Sequence, residues 1–368
     1  MRMSPHRGAM ALLCSVALVA GCGDEENDSA ATSSGKKFAG RTLTVASPGG
    51  DLTKAETEAY YKPFEAATGA TVKVVETDYG TIPSLLKSTV KAGRAPWDLV
   101  SSVDAVTMNS LAEQSLIQKI DTTGVPGIDQ LDPQYVDDYG VTTEVDAVVP
   151  AYTEAEGAKA LPDTAAFFDS DAYPGDRAAA GPNTQNGTIM CALALHADGV
   201  AAEDLVPLDI DRCLKVWDRV KPSIKVWWGS GSEMAQNMLD GNMDYCICYD
   251  GRVQQVRRSD PAWSYNLKDA LSVTAWIIQP TGSENQDMIR ELLRFFMDPE
   301  REAVFVEGIG YSTANPNVEK HLPEELKQYL STSAANFPQL LKLTPEQTVE
   351  LAASSEEVER RWSEWTGQ

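Results

Sequence analysis

Histidine is scarce in this 368-residue chain: three in all, of which only His196 and His321 lie beyond residue 21. Few side chains therefore titrate near neutral pH, and the commonest general base is nearly missing. No CxxC pair exists, so a zinc site lacks the ligands it needs. There is no P-loop and no GxGxxG. The run Gly310-Tyr311-Ser312-Thr313-Ala314 approximates a nucleophile elbow but ends in Ala and follows no clear strand. Positive charge is also short: 31 Lys and Arg stand against 54 Asp and Glu, a net charge of −23. A field of that sign repels nucleic acid and favours cationic solutes near clefts. Nothing after residue 22 is apolar enough to cross a membrane. Catalysis, a cofactor, a bound metal and a nucleic-acid partner are therefore not expected. A hydrophobic content of 43% supports large cores, and the length favours two lobes over one domain.

The front of the chain is distinctive. Arg2 and Arg7 precede an apolar run, Ala9 to Ala20, which ends in Val19-Ala20-Gly21-Cys22. The run is too short for a stable span, and with the positive start it reads as an export signal over 1–21. Cys22 after Val-Ala-Gly resembles the bacterial lipobox, in which that Cys is acylated. An ordinary cleaved signal with a chance Cys is the plainer reading. Acylation would place the chain on the extracytoplasmic face of the cell membrane, held by lipid. Residues 22–38 are polar and small, which suits a flexible tether.

Four cysteines follow. Cys191 and Cys213 each lie on an apparent helix and are the candidate bridge, with free buried thiols as the alternative. Cys246 and Cys248 stand two apart in an apparent strand and are not expected to pair with each other.

From Arg41 the pattern alternates strand, turn and helix. Leu43–Ala46, Thr71–Glu76 and Asp98–Val100 read as strands, with helices over about 53–68, 82–92 and up to about 114. The middle segment places helices at about 187–197, 209–220 and 232–240, and strands at Met243–Tyr249 and Leu271–Ile278. Helices near 286–297, 299–306 and 346–365 close the chain. This rhythm predicts an α/β fold with parallel strands covered on both faces.

Ligands of open α/β sheets lie beyond the carboxyl ends of the strands. Gly49 and Gly50 follow the first strand and allow close backbone approach. Asp78 and Tyr79 follow the second; Ser102 and Asp104 follow the third. Tyr249 and Asp250 close the strand Met243–Tyr249, setting an aromatic face beside a carboxylate, as a bound ammonium requires. The plainer role for Asp250 is to cap the next helix. Four tryptophans, Trp227, Trp228, Trp263 and Trp276, cluster in sequence; Trp228, before Gly229-Ser230-Gly231, is the candidate to meet a ligand.

The order of segments resembles the extracellular solute-binding proteins of the spermidine/putrescine type, which serve ABC transporters. The likeness runs over most of 41–365. It is carried by Thr44-Val45-Ala46-Ser47-Pro48-Gly49-Gly50, Pro63-Phe64-Glu65-Ala66-Ala67-Thr68-Gly69 and Trp97-Asp98-Leu99-Val100. Further on it includes Val206-Pro207-Leu208-Asp209, Val226-Trp227-Trp228-Gly229-Ser230-Gly231, Asp250-Gly251-Arg252 and Ile309-Gly310-Tyr311-Ser312.

The resemblance implies a two-lobe, periplasmic-binding-protein-like (type II) fold with an interlobe cleft. Lobe one would be 39–147 plus 279–368, and lobe two 148–278. Strands near Ala147–Tyr152 and Leu271–Ile278 would form the hinge. It implies a monomeric, membrane-anchored receptor that captures a putrescine- or spermidine-like amine for ABC permease subunits. Tyr249 and Trp228 would stack on the ligand, and Asp250 and Asp104 would neutralise it. Ser47, Gly50, Ser102 and Thr274 would hydrogen-bond it, with Tyr79 alongside.

This chain departs from the polyamine pattern. Tyr249 replaces a Trp, Thr274 replaces an Asp, and Asn183-Thr184-Gln185-Asn186-Gly187-Thr188 carries no acid. A non-polyamine solute is thus the alternative ligand. An exported enzyme on the same scaffold, or an envelope protein without a ligand, are the other classes.

Overall fold

The computed structural model describes residues 35–367 apart from Tyr79 and Gln185. The expected export signal, the candidate acylation residue Cys22, most of the expected tether and Tyr79 lie outside the described residues.

Among the described residues eleven strands form one curled sheet. They are β1 (Thr42–Ser47), β2 (Thr71–Glu76), β3 (Leu99–Asp104), β4 (Ile117–Gln118), β5 (Val136–Asp137) and β6 (Gly140–Thr153). The rest are β7 (Arg177–Ala180), β8 (Ile224–Trp228), β9 (Tyr245–Tyr249), β10 (Trp263–Tyr265) and β11 (Leu271–Pro280). The main path runs β2-β1-β3-β11-β6-β9-β7-β8. Its two ends are parallel: β1 pairs with β2 and β3, and β7 with β8 and β9. Its middle is antiparallel, where β11 runs against β3 and β6, and β6 against β9.

Parallel strands need helical crossovers, so each end carries helices on its faces. The two long antiparallel strands β6 and β11 each carry the chain from one half to the other. They extend beyond the expected hinge segments, because β6 begins at Gly140 and is buried along its whole length.

Each half has its own core. Leu43, Phe64, Ile277 and Phe296 belong to the first, and Trp217, Tyr245 and Trp263 to the second. Phe296 stacks on Tyr60 at 4.0 Å between ring centroids. The expected division gave 279–368 to lobe one. The structure instead sets Leu340, Leu341, Val358 and Trp362 in the second core. The Trp362 ring meets Trp217 edge-on at 5.2 Å, and its Nε1 donates to the Ala180 carbonyl. The helix Pro345–Thr366 also lays Leu351 and Ala352 on Val106 of the first half. Its amphipathic length lets one helix serve both cores, which segment order alone does not reveal.

Cys191 and Cys213 are joined, with Cα atoms 5.1 Å apart, and tie the helix Gly187–Ala197 to the helix Ile210–Asp218. Cys246 and Cys248 are joined as well, against expectation. The reason is the strand period: residues two apart on β9 project to the same face, not to opposite ones.

Candidate functional site

A cavity of about 800 Å³ lies between the two halves, over β6 and β11. Its floor follows from strand register. Glu144 and Asp146 alternate with Val145 and Ala147 on β6, so both acids share one face. Their cross-strand partners, Ala275 and Val273, line the same cavity. Asp104 and Ser102 enter from the end of β3, Tyr249 from the end of β9, and Arg252 from the helix Asp250–Arg257. Thr184, Asn186 and the turn Gly229–Ser232 close the far side.

The charge pattern is uneven. Asp104, Glu144 and Asp146 bring three carboxyl groups from within, Asp78, the candidate after the second strand, brings a fourth from the exposed margin, and Arg252, only 4% exposed, brings a guanidinium. Burial, helped by nearby Glu56, pushes the Glu144 carboxyl up to about 8. Burial, then Glu144 and Asp250, raises Asp146 well above the usual range. Burial also raises Asp104, against the backbone N–H of Thr107, which its carboxylate accepts at 2.9 Å. Arg252 opposes the shifts of Glu144 and Asp146 by favouring their ionised forms. The guanidinium also lies 6.0 Å from the Tyr311 ring. The Tyr249 hydroxyl donates to Asn186 Oδ1 at 3.1 Å, which fixes its ring against the cavity. Such a site offers carboxyl groups and an aromatic face for an ammonium, and a cation for an anion, in a recess partly open to solvent.

The structure brings Ser102, Asp104, Tyr249 and Thr274 to this cavity. Ser102 adopts φ 58°, a left-handed backbone that turns the strand end into it. Thr274 Oγ1 accepts from Trp276 Nε1 at 2.8 Å. Four other candidates do not line it. Ser47 is fully buried; its hydroxyl donates to Glu56 Oε2 at 2.7 Å and braces the turn after β1. Gly50, at φ +63°, leaves room for the Ser232 hydroxyl, so its close approach is to protein, not ligand. Trp228, 1% exposed, donates to the Ile247 carbonyl and stands 5.8 Å from the Tyr249 ring, supporting it from behind. Asp250 accepts the Gly251 N–H at 2.8 Å and a backbone bond from Ala147, tying the helix start to β6. Tyr249 holds the N-cap position of that helix, and the Asp250 carboxyl, in its first turn, is turned to these backbone groups.

Glu144, Asp146 and Arg252 are the charged lining that sequence reasoning missed. An acid-x-acid pair inside the otherwise apolar strand Gly140–Thr153 was the available signal, since unpaired acids are rarely buried. Among the described residues no group of His, Cys, Asp and Glu could hold a metal ion, and no helix is long and apolar enough to cross a membrane.

Comparison with known proteins agrees with this architecture. The chain is similar to the gamma-aminobutyric acid-binding protein of Pseudomonas aeruginosa, 27% identical over 330 residues, covering 88% of this chain and 91% of that one. Among solved structures, an ABC transporter substrate-binding protein from Bradyrhizobium japonicum is 27% identical, with a TM-score of 0.76 over 88% of this chain and 99% of that one. AgtB from Agrobacterium tumefaciens R10, solved with agropinic acid, is 26% identical, with a TM-score of 0.75 over 89% and 99%. A family model described as bacterial extracellular solute-binding protein matches residues 59–332. Matched over most of its length and built as two α/β halves around a cavity, the chain belongs to the bacterial extracellular solute-binding proteins.

Proposed function

We propose that this protein is the capture component of an ABC importer for a small zwitterion, an amino acid whose amine and carboxylate are set apart, such as gamma-aminobutyric acid. The observation that carries this reading is Arg252 in the same cavity as Asp104, Glu144 and Asp146. A guanidinium binds a carboxylate through two parallel N–H bonds. The three carboxyl groups and the Tyr249 ring suit an ammonium, whose cation–π contact adds ~0.5–2 kcal/mol. A diamine such as putrescine would place a second cation in a space that already holds Arg252. The zwitterion therefore replaces the expected polyamine.

The lobes are proposed as 39–147 with 279 to about 336, and 148–278, with the segment from about 337 onward packing on both. Acylation of Cys22 would hold the receptor beside its permease.

Calorimetric titration with gamma-aminobutyric acid, putrescine and spermidine tests the ligand. Binding of the amino acid and not of the amines is expected. Ligand at a hundred times Kd should add about 2.7 kcal/mol of stability. Arg252→Ala should raise Kd about thirtyfold or more, since stripping one partner from a buried charge pair costs about 2–5 kcal/mol. Binding of the polyamines alone would return the ligand to the diamine class.

A further inference from the structure

A second cavity, of about 650 Å³, adjoins the first. The two share Asp104, Ile189, Val273 and Thr274 as a common wall. Beyond that wall the lining changes character. The first chamber carries Glu144, Asp146 and Arg252; the second is bounded largely by Val106, Leu271, Leu343 and Leu351. Leu271 and Leu351 are buried, and Leu343 is half-buried. Lys342 stands at the outer margin, exposed, and its Nζ donates to the carbonyls of Phe337 and Leu340 at 2.8 and 3.0 Å. Its charge is thus directed to the backbone, and the chamber is lined mainly by apolar side chains, with Gln134, Ser272 and Thr348 as uncharged polar members.

The junction between the chambers is an acid. Asp104 faces both, and no other carboxyl group of the first chamber does. A ligand nitrogen held at Asp104 would therefore have the charged chamber on one side and the apolar one on the other. A primary ammonium uses only the first. A nitrogen carrying an alkyl or aryl group could send that group across the shared wall while its carboxylate stays at Arg252. Burying apolar surface there gains about fourfold in affinity per methylene.

We infer that the second chamber receives a substituent on the amine nitrogen, and that the solute class is an N-substituted amino acid. This inference rests on the zwitterion reading above. The chamber wall comes partly from the segment 337–351, so the C-terminal part of the chain sets the size of substituent admitted.

The test is calorimetric titration of the full protein with 4-aminobutyrate, N-butyl-4-aminobutyrate and N-benzyl-4-aminobutyrate. The substituted compounds should bind at least as tightly as the parent, and the N-butyl compound up to tenfold more tightly. Leu343→Trp, which fills the chamber, should weaken the N-benzyl compound tenfold or more and leave the parent within threefold. Leu343→Ala should keep both, which separates filling from loss of fold. Substituted compounds binding more than tenfold weaker than the parent would overturn the inference alone. Equal weakening of both ligands by Leu343→Trp would overturn the placement of the substituent. If no compound of the series binds, the zwitterion reading fails and this inference falls with it.

Discussion

Glu144 and Asp146 sit on one face of β6 with only a guanidinium to offset them, and their protonation links ligand binding to pH. Glu144 titrates at about 8 in the folded chain, against an ordinary 4.5. The folded state therefore binds the extra proton between these values, and this group's contribution to stability is present below about 4.5 and is lost as pH rises through about 8. Glu144→Gln should flatten that part of the decline in a melting-temperature series from pH 5 to 9. Ligand affinity should move the other way. An ammonium is held best by an ionised carboxylate, so Kd should fall as pH rises from 6 to 8.5, with protons released on binding. Titrations in buffers of different ionisation heat measure that release; a buffer-independent heat would sink the linkage. At this scale the sequence was legible only in part. Ser102, Asp104 and Tyr249 could be picked out because strand ends are visible in a hydropathy pattern, whereas Thr274, inside β11, was reached only through the family resemblance. Ser47, Gly50, Trp228 and Asp250 follow the same rule of position, yet local partners take them: Glu56, Ser232, the Ile247 carbonyl and the backbone at Ala147 and Gly251.

Helices with clear start signals match their expected spans closely. The helix Gly187–Ala197 coincides with its expected bounds, and the helix Pro299–Ile309 has Pro at its start and Gly310 at its left-handed end. The short strands β7 and β8 were not read as strands, because four or five residues such as Arg177–Ala180 carry too little period to be recognised. β6 was legible only in its apolar end, since Glu144 and Asp146 interrupt the pattern that marks a buried strand. The bridge Cys191–Cys213 closes a loop across a sequence separation of 22 between two helices that both pack in the second core. Removing it by Cys191→Ala with Cys213→Ala should cost about 3 kcal/mol, by the loop-closure argument. Chemical denaturation of the double variant measures this. An unchanged midpoint would show that packing of Met190, Trp217 and their neighbours alone holds the two helices together.

Among the described residues β6, β11 and the C-terminal helix each pack in or between both halves, so changes in those three act on the whole molecule. Trp362 is fully buried among Trp217, Trp227 and Trp365. Trp362→Ala should cost about 3–5 kcal/mol, the usual penalty for emptying a core tryptophan site. Thermal unfolding with and without ligand should show a lower midpoint while the ligand-induced rise persists; an undisturbed midpoint would mean that this helix end contributes little to the core. The amino-acid sequence by itself determined the class of the molecule: an acidic chain with an export-type front, alternating strands and helices, and segments in the order of a solute-binding family. Those are local properties, set by hydropathy period, turn residues and charge, and they survive being read in one dimension. The cavity was decided by tertiary structure. Glu144 from β6, Arg252 from a later helix and Asp104 from the first half meet only when two antiparallel strands bring distant turns together. Whether a carboxyl group there caps a helix or faces a ligand depends on which backbone N–H groups reach it, and that is a matter of packing in three dimensions.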